Sequence, residues 1–324
     1  MKNSVRALPS GLVVLVGLVM LGLYPLLLPA VGLNSLNSYS VYFVWVTLAV
    51  SWNLAGGYAK LLNLGLVAFF ALGSVVGAVA LTSGLSYGES IALSGLAGSL
   101  VAFAMIPTFR FRTFYFAIAT LFVPLVIKPL VELVAGVADF RVPQEAILGP
   151  VALYYLGISM SGLTILGSYL LIRSRVGYAL KALGEDELVS SSVGIDVLSF
   201  KAIALIVSGI VASVAGSYYL QIIGTVNTTL FTDLNFSLFP IFMVIIGGAG
   251  TVEGPIGGAL IFSVLNYEVT SFLPNSTLDT LVLSAMIIGV AVFLPKGIVP
   301  AVRANVSRGG RFRLGRPSQK KGGE

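Results

Sequence analysis

The chain has 324 residues, of which 57% are hydrophobic and only 10% are charged. Soluble domains carry roughly 25% charged residues, so these proportions exclude a soluble globular protein. Histidine and cysteine are both absent from the sequence, which excludes disulfides, imidazole proton relays, thiol nucleophiles and zinc sites built from Cys and His. The sequence therefore predicts an all-α integral membrane protein.

Ten apolar segments are candidates for membrane spans, since a bilayer core requires about 20 apolar residues per helix. Glycine and proline interrupt helices, so Gly247, Gly248, Gly250 and the Gly254-Pro255 pair divide the apolar stretch 237–271 into two spans. In chain order the predicted spans are 11–30, 39–56, 63–82, 89–107, 113–136, 151–172, 199–223, 237–249, 254–271 and 278–295.

The positions of the basic residues predict that both termini are cytoplasmic. Seven of the 19 Lys and Arg residues, and one of the 13 acids, lie in 303–324, so the net charge of +6 belongs to this segment. With ten spans only Lys128 and Arg141 fall near the outside, whereas nine spans would place the basic segment outside, against the positive-inside rule. We expect a transmembrane domain over 1–302 and a disordered, basic, cytoplasmic tail over 303–324.

The polar loop 174–199, between the sixth and seventh spans, shows helical periodicity. Apolar residues recur at helical spacing over 176–183, and Gly184 is expected to end this helix in the left-handed conformation. The acids at 185–187 suit the positive end of a second helix dipole. Two such helices outside the membrane either pack on their own bundle or dock in a groove of a cytoplasmic partner.

The end of this loop carries the signals of a new helix. Gly194 is expected to end the second short helix, and Asp196 or Ser199 can cap the seventh span. These residues fix where the chain returns to the membrane.

Glycine and polar residues interrupt the apolar pattern at two places. The first break lies within residues 53–65 and the second within 247–258. Exposed backbone is tolerated at membrane depth only beside protein or water, so both breaks could line a translocation pathway. Close helix packing is the favoured alternative, through pairs such as Gly73/Gly77 and Gly254/Gly258. The pathway candidates are Asn53, Gly56, Gly57, Asn63, Gly65, Gly247, Gly248 and Glu253.

Few ionisable residues lie within the predicted spans. Lys128 and Glu132 are one helical turn apart near the outer end of the fifth span, and Glu268 lies in the ninth. Intramembrane ionisable groups are functional candidates, but a structural i,i+4 ion pair is the favoured interpretation of Lys128 and Glu132. An ion-coupled secondary transporter would depend on these three residues.

Five stretches of this sequence resemble the longer permease subunit of branched-chain amino acid ABC importers. The resemblance covers most of the chain, and the loop within the third stretch is its most specific part. The stretches are WNLAGGYAKLLNLGLVAFFALGS (52–74), RTFYFAIATL (112–121), RSRVGYALKALGEDELVSSSVGIDVLSFKAIALIVSGIVASVAGSYYL (173–220), MVIIGGAGTVEGPIGGAL (243–260) and FLPKGIV (293–299).

The resemblance implies a permease with about ten spans whose loop 174–199 docks on an ATPase. The implied coupling residues are Arg175, Gly177, Lys181, Glu185, Asp186, Glu187 and Gly194. The chain has no G-x-x-x-x-G-K-[ST] phosphate loop, so ATP-Mg is expected only in the partner ATPase, and we expect no cofactor, metal or enzymatic activity in this chain. Implied partners are a second homologous permease, two ATP-binding subunits and an extracellular binding protein, in a prokaryotic cell membrane.

The sequence departs from the family pattern at three places. The usual GHAAFFG motif is replaced by residues 65–71, which contain no histidine, an acid frequent in the fifth span corresponds to Leu125, and Gly184 stands where an arginine is usual. The first two departures leave the substrate open between branched-chain amino acids and urea or short-chain amides. The acids of the loop are all present, so coupling to an ATPase remains the expectation.

Overall fold

The computed structural model describes residues 33–111, 113–135 and 138–272, together with positions 285, 297 and 298. Ten α-helices and one two-stranded sheet lie in this part of the chain. The helices are α1 Leu33–Trp52, α2 Leu66–Thr82, α3 Tyr87–Ala104, α4 Thr113–Ala135, α5 Pro150–Arg173, α6 Arg175–Glu185, α7 Glu187–Ser192, α8 Val197–Ile223, α9 Asn235–Gly247 and α10 Glu253–Phe272. The strands β1 Asp139–Arg141 and β2 Thr225–Asn227 pair antiparallel.

Eight of the ten predicted spans coincide with these helices, and the loop 174–199 forms two short helices, α6 and α7. The predicted spans 11–30 and 278–295 and the tail 303–324 lie outside the described residues. Four segments of the described part are long and apolar enough to cross a bilayer: Tyr87–Arg110, Phe114–Ala135, Pro150–Arg173 and Val197–Ile223. These helices confirm an integral membrane protein.

Helix α8 lies at the centre of the described bundle and packs against α2, α3 and α1. Its contact with α2 requires glycine, because a Cβ on Gly216 would lie 1.9 Å from the Phe70 carbonyl oxygen. A Cβ on Gly73 would lie 2.0 Å from the Ser213 carbonyl oxygen. Small residues allow helix backbones to approach this closely, so the packing interpretation of Gly73 is confirmed.

Buried serines connect the same helices by hydrogen bonds to backbone carbonyls. Ser213 Oγ donates to the Phe69 carbonyl at 2.7 Å, and Ser74 Oγ donates to the Gly216 carbonyl at 2.8 Å. Ser51 Oγ donates to the Ser208 carbonyl at 2.7 Å and so connects α1 to α8. A carbonyl within a helix has a second lone pair free, so these polar side chains are satisfied inside an apolar bundle.

A small cap covers the end of the bundle opposite to α6 and α7. Phe140 of β1 lies opposite Val226 of β2, and both side chains are buried with Phe231 in a second apolar core. Gln221 is 1% exposed and holds the cap to α8, because its Oε1 accepts from the Leu148 amide and its Nε2 donates to the Ala146 carbonyl. The sequence patterns predicted neither the strands nor this cap.

We expect Gly216→Ala to destabilise the protein by on the order of 2 kcal/mol, because overpacking a close contact forces the backbones of α2 and α8 apart. Thermal unfolding in detergent, followed by tryptophan fluorescence, measures the change. Gly167→Ala on α5 is the matched control, since a Cβ there meets nothing within 4 Å. An equal melting temperature for Gly216→Ala and the control would contradict this packing.

Candidate functional site

The side chain of Asn53 joins the two glycine-rich breaks. Asn53 begins a π-helical turn, Asn53–Tyr58, that follows α1, and its side chain is 1% exposed. Its Nδ2 donates to the Thr251 carbonyl at 2.8 Å, and its Oδ1 accepts from the Gly250 amide at 2.9 Å. The two breaks, which are about 200 residues apart in sequence, are therefore in direct contact.

Glycine is required on both sides of this contact. A Cβ on Gly57 would lie 2.8 Å from the Gly250 amide nitrogen, and Gly250 has a φ of 73°. Gly248 has a φ of 121°, which L side chains rarely adopt. Gly56 faces the indole ring of Trp52. The π-helical turn and the loop 248–251 approach closely at Gly57 and Gly250, where neither residue carries a side chain.

Gly247, Gly254 and Gly258 of the second break pack α9 against α10. A Cβ on Gly247 would lie 1.7 Å from the Gly254 carbonyl oxygen, and one on Gly258 would lie 1.8 Å from the Met243 carbonyl oxygen. Packing is therefore the structural role of these three glycines. Glu253 is the first residue of α10, where the helix dipole favours a negative charge.

Asn63 organises the connection from the first break to α2. Its carbonyl accepts from Trp52 Nε1 at 2.7 Å, and its Oδ1 accepts from the Gly65 amide at 2.9 Å. Gly65 lies against the backbone of Thr120 in α4, since a Cβ there would be 2.1 Å from that carbonyl oxygen. Asn63 is fully buried, and its Nδ2 has no hydrogen-bond partner in the described part of the chain. The lining of a translocation pathway by these residues stays a prediction.

Helix α6 packs its apolar face on its own bundle. Gly177, Leu180 and Leu183 are buried, and a Cβ on Gly177 would lie 2.3 Å from the Ile172 backbone. Arg175 and Lys181 lie on the exposed side of α6, and the Lys181 Nζ is 5.7 Å from the centre of the Tyr178 ring. The self-packing alternative therefore applies to α6.

The prediction that Gly184 ends the first helix in the left-handed conformation is wrong. Helix α6 continues through Gly184 to Glu185, and Gly184 is not among the positive-φ residues. A Cβ at Gly184 would lie 2.7 Å from the carbonyl oxygen of Tyr58. Glycine stands here because α6 approaches the backbone of the first break closely.

The three acids of the loop have different structural roles. Asp186 caps α7, with its Oδ1 accepting from the amides of Leu188 and Val189 at 2.9 and 3.0 Å. Glu187 forms an ion pair of 2.6 Å with Lys201 of α8. Glu185 is exposed and makes no hydrogen bond or ion pair to any described residue. Of the three, only Glu185 is free to contact a partner directly.

Helix α7 and Val193, the residue that follows it, present apolar side chains that nothing in the described part of the chain covers. Leu188 is 82% exposed, Val193 72% and Val189 59%. The sequence interpretation concentrated on the acids and missed these residues. Their signal is a group of apolar residues on both sides of three consecutive serines at 190–192.

The end of the loop agrees with the sequence interpretation. Gly194 has a φ of 88° and follows α7, and Asp196 caps α8. The Asp196 carboxylate accepts from the Ser199 hydroxyl at 2.6 Å and from the Ser199 amide at 3.3 Å, which holds the pKa of that carboxyl below its usual range. The start of α8 is therefore fixed by a local cap.

The interpretation of Lys128 and Glu132 as an ion pair is wrong, although both side chains belong to the described part. Glu132 instead accepts a hydrogen bond from the hydroxyl of Thr228, in the 3₁₀ turn Thr228–Thr232 of the cap. This turn packs against α4 and offers the carboxylate a nearer partner. Glu268 lies on α10, at a position whose side chain is outside the described part.

Replacing Asn53 by leucine, which has a similar volume, should loosen the contact between the two breaks. The change leaves the Gly250 amide and the Thr251 carbonyl unpaired, and each buried unpaired group costs about 1–3 kcal/mol. We expect faster amide hydrogen exchange over residues 248–251, measured by mass spectrometry. Asn227→Leu in the cap is the control and should leave exchange in this segment unchanged. Unaltered exchange in Asn53→Leu would refute the bridging role.

Comparison with known proteins places the chain in a family. The chain matches the family described as branched-chain amino acid transport system, permease component, over residues 34–291. It is 23% identical over 308 residues to the high-affinity branched-chain amino acid transport system permease protein LivM of Salmonella typhimurium, covering 84% of this chain and 72% of the relative. LivM of Escherichia coli gives the same identity and coverage.

A shorter match joins the chain to a second permease type. It is 29% identical over 142 residues to the permease protein LivH of Salmonella typhimurium, covering 44% of each chain. No solved structure matches the chain. Because the family match extends over most of the sequence, this chain belongs to the family of branched-chain amino acid transport system permease components.

Proposed function

We propose that this permease imports branched-chain amino acids with energy from a separate ATPase that docks on α7. The single observation that carries the coupling proposal is the exposed apolar group Leu188, Val189 and Val193, in and directly after α7. Large exposed apolar groups mark interaction sites. The substrate proposal rests on the printed names of the family and of the LivM relatives, which do not favour urea or short-chain amides.

The first step of coupling is a movement of α7 and α6 together. Helix α7 follows α6 directly and is held to α8 by the Glu187–Lys201 ion pair. A partner that binds the apolar side of α7 in one nucleotide state and releases it in another biases the position of both helices. Only such differential contacts can shift a conformational equilibrium.

The second step passes from α6 to the membrane bundle. Gly184 lies against the Tyr58 carbonyl, at the end of the π-helical turn, and Asn53 at the start of that turn holds the loop 248–251. A displaced α6 therefore acts on both breaks through continuous contacts. π-helical turns recur at functional sites, and we infer that this turn is where the pathway opens and closes.

The remaining parts of the importer follow from the same proposal. We infer ten spans with both termini in the cytoplasm of a prokaryotic cell, and a complex with a second permease, two ATP-binding subunits and an extracellular binding protein. The similarity of this chain to both LivM and LivH supports pairing of two related permeases. An ion-coupled transporter is not favoured, because the carboxylate of Glu132 accepts a hydrogen bond from the hydroxyl of Thr228 in the cap.

Replacing both Leu188 and Val193 by serine should abolish docking while leaving the fold intact. Truncating central apolar contacts of an interface typically costs 2 kcal/mol or more, so we expect at least a tenfold loss of ATPase co-purification and of ATP-dependent leucine uptake. Leu234→Ser, at the opposite end of the bundle and 41% exposed, is the control. Normal uptake by the double variant would rule out this docking surface.

The helix-capping role of Asp186 can be separated from the effect of its charge by comparing Asp186→Asn with Asp186→Ala. Asparagine is as good an N-cap as aspartate, whereas alanine costs about 1 kcal/mol of helix stability. We expect ATP-dependent uptake to be reduced by alanine and retained by asparagine, as measured from initial rates with the complete transporter in vesicles. An equal loss in both variants would show instead that a partner contacts the Asp186 charge.

A further inference from the structure

A basic depression lies beside α6, at the end of the bundle where the loop 174–199 leaves it. Its volume is about 510 Å³. It is built from four separate parts of the chain: the end of the first break, the 3₁₀ turn Ile106–Arg110 with Phe111 and the start of α4, the α6–α7 pair, and the start of α8. Its lining residues are Ala59, Lys60, Leu61, Phe109, Arg110, Phe111, Phe116, Leu183, Glu187 and Lys201.

The depression carries three cations and one anion. Lys201 is paired with Glu187 at 2.6 Å, and its side chain is only 13% exposed. Lys60 and Arg110 are exposed at the rim and make no ion pair with another described residue. Lys60 has a φ of 55°, a conformation that is uncommon for a lysine. The depression therefore has two uncompensated positive charges.

Apolar side chains form the other part of the lining of the depression. Phe116, Leu183, Ala59 and Leu61 are buried, while Phe111 is 54% exposed at the rim. In the same turn of α4 as Phe116, the side chain of Phe114 is 70% exposed and that of Tyr115 is 62% exposed. Helix α4 is an apolar candidate span with little of its surface buried in the bundle. The depression therefore opens beside a surface suited to acyl chains.

We propose that this depression binds the phosphate-bearing headgroup of an anionic phospholipid. Basic pockets at the ends of membrane helices suit such headgroups, and aromatic side chains are typical of the membrane interface. Lys60 and Arg110 contact the phosphate, and the acyl chains lie along the exposed aromatic side chains of α4. A carboxylate of a protein partner is less favoured, because it would leave this apolar lining uncovered.

The Glu187–Lys201 ion pair allows the proposal to predict opposite changes in lipid retention for two kinds of variant. Glu187 contributes the single negative charge of the depression and neutralises Lys201. Replacing Glu187 by glutamine frees Lys201 for the lipid phosphate. Lipid retention should therefore rise in Glu187→Gln, whereas it should fall when a rim cation is removed.

The test uses the full chain, delipidated in detergent and examined by native mass spectrometry with phosphatidylglycerol or phosphatidylcholine. We expect phosphatidylglycerol to be retained about tenfold better than phosphatidylcholine, since each interfacial cation contributes appreciably to anionic lipid binding. A Lys60→Asn, Arg110→Gln double variant should lose this preference. Asparagine is chosen because it tolerates a positive φ. Arg110→Lys should keep the preference for phosphatidylglycerol, because it keeps the positive charge. This variant therefore separates the loss of charge from a disturbance of the fold.

Lys128→Gln with Arg141→Gln removes two cations at the opposite end of the bundle and is the matched control. This control should retain phosphatidylglycerol as the unmodified chain does. Equal retention of the two lipids, or a preference unchanged in the double variant, would overturn the proposal. Displacement of the lipid by millimolar inorganic phosphate would show a small-anion site instead. Loss of ATPase association with unchanged lipid retention would assign the depression to a protein partner.

Discussion

The close approach of α8 to α2 is the contact on which the rest of the described bundle depends. Gly73 and Gly216 bring the two backbones together, and Ser74 and Ser213 each donate a hydroxyl to a carbonyl of the facing helix. In a bilayer no hydrophobic force draws helices together, so packing and hydrogen bonds between helices must do so. Helices α1 and α3 then pack on α8, and the cap is held through Gln221.

The two breaks in the helical pattern are one structural feature. Asn53 satisfies the backbone of the loop 248–251, and the glycines on both sides leave room for the contact. Unpaired backbone groups are costly at membrane depth, so a single amide side chain stabilises both interruptions. The same turn touches α6 through Tyr58 and Gly184. Contacts therefore run without a gap from the loop to the interior of the bundle.

Tertiary contacts give neighbouring residues of the loop 174–199 different structural roles. The helical periodicity over 176–183 correctly predicts a helix. Gly194 follows the second short helix with a positive φ and Asp196 caps α8, as expected. The sequence wrongly predicts a turn at Gly184, because a glycine required by a neighbouring backbone looks the same in sequence as one required by a turn. The acids at 185–187 formed one group in sequence, yet they act as an exposed charge, a helix cap and an ion-pair partner.

Composition and the length of the apolar segments alone determined the membrane class, the helical architecture and the positions of eight described helices. They could do so because a helix that crosses a bilayer needs apolar residues along its whole length. The resemblance in the loop and in the glycine-rich stretches determined the family. Only the tertiary structure decided that Asn53 joins the two breaks, that Glu132 contacts Thr228 rather than Lys128, and that Leu188 and Val193 are uncovered. These contacts join segments far apart in sequence, and no local pattern specifies which distant groups will meet.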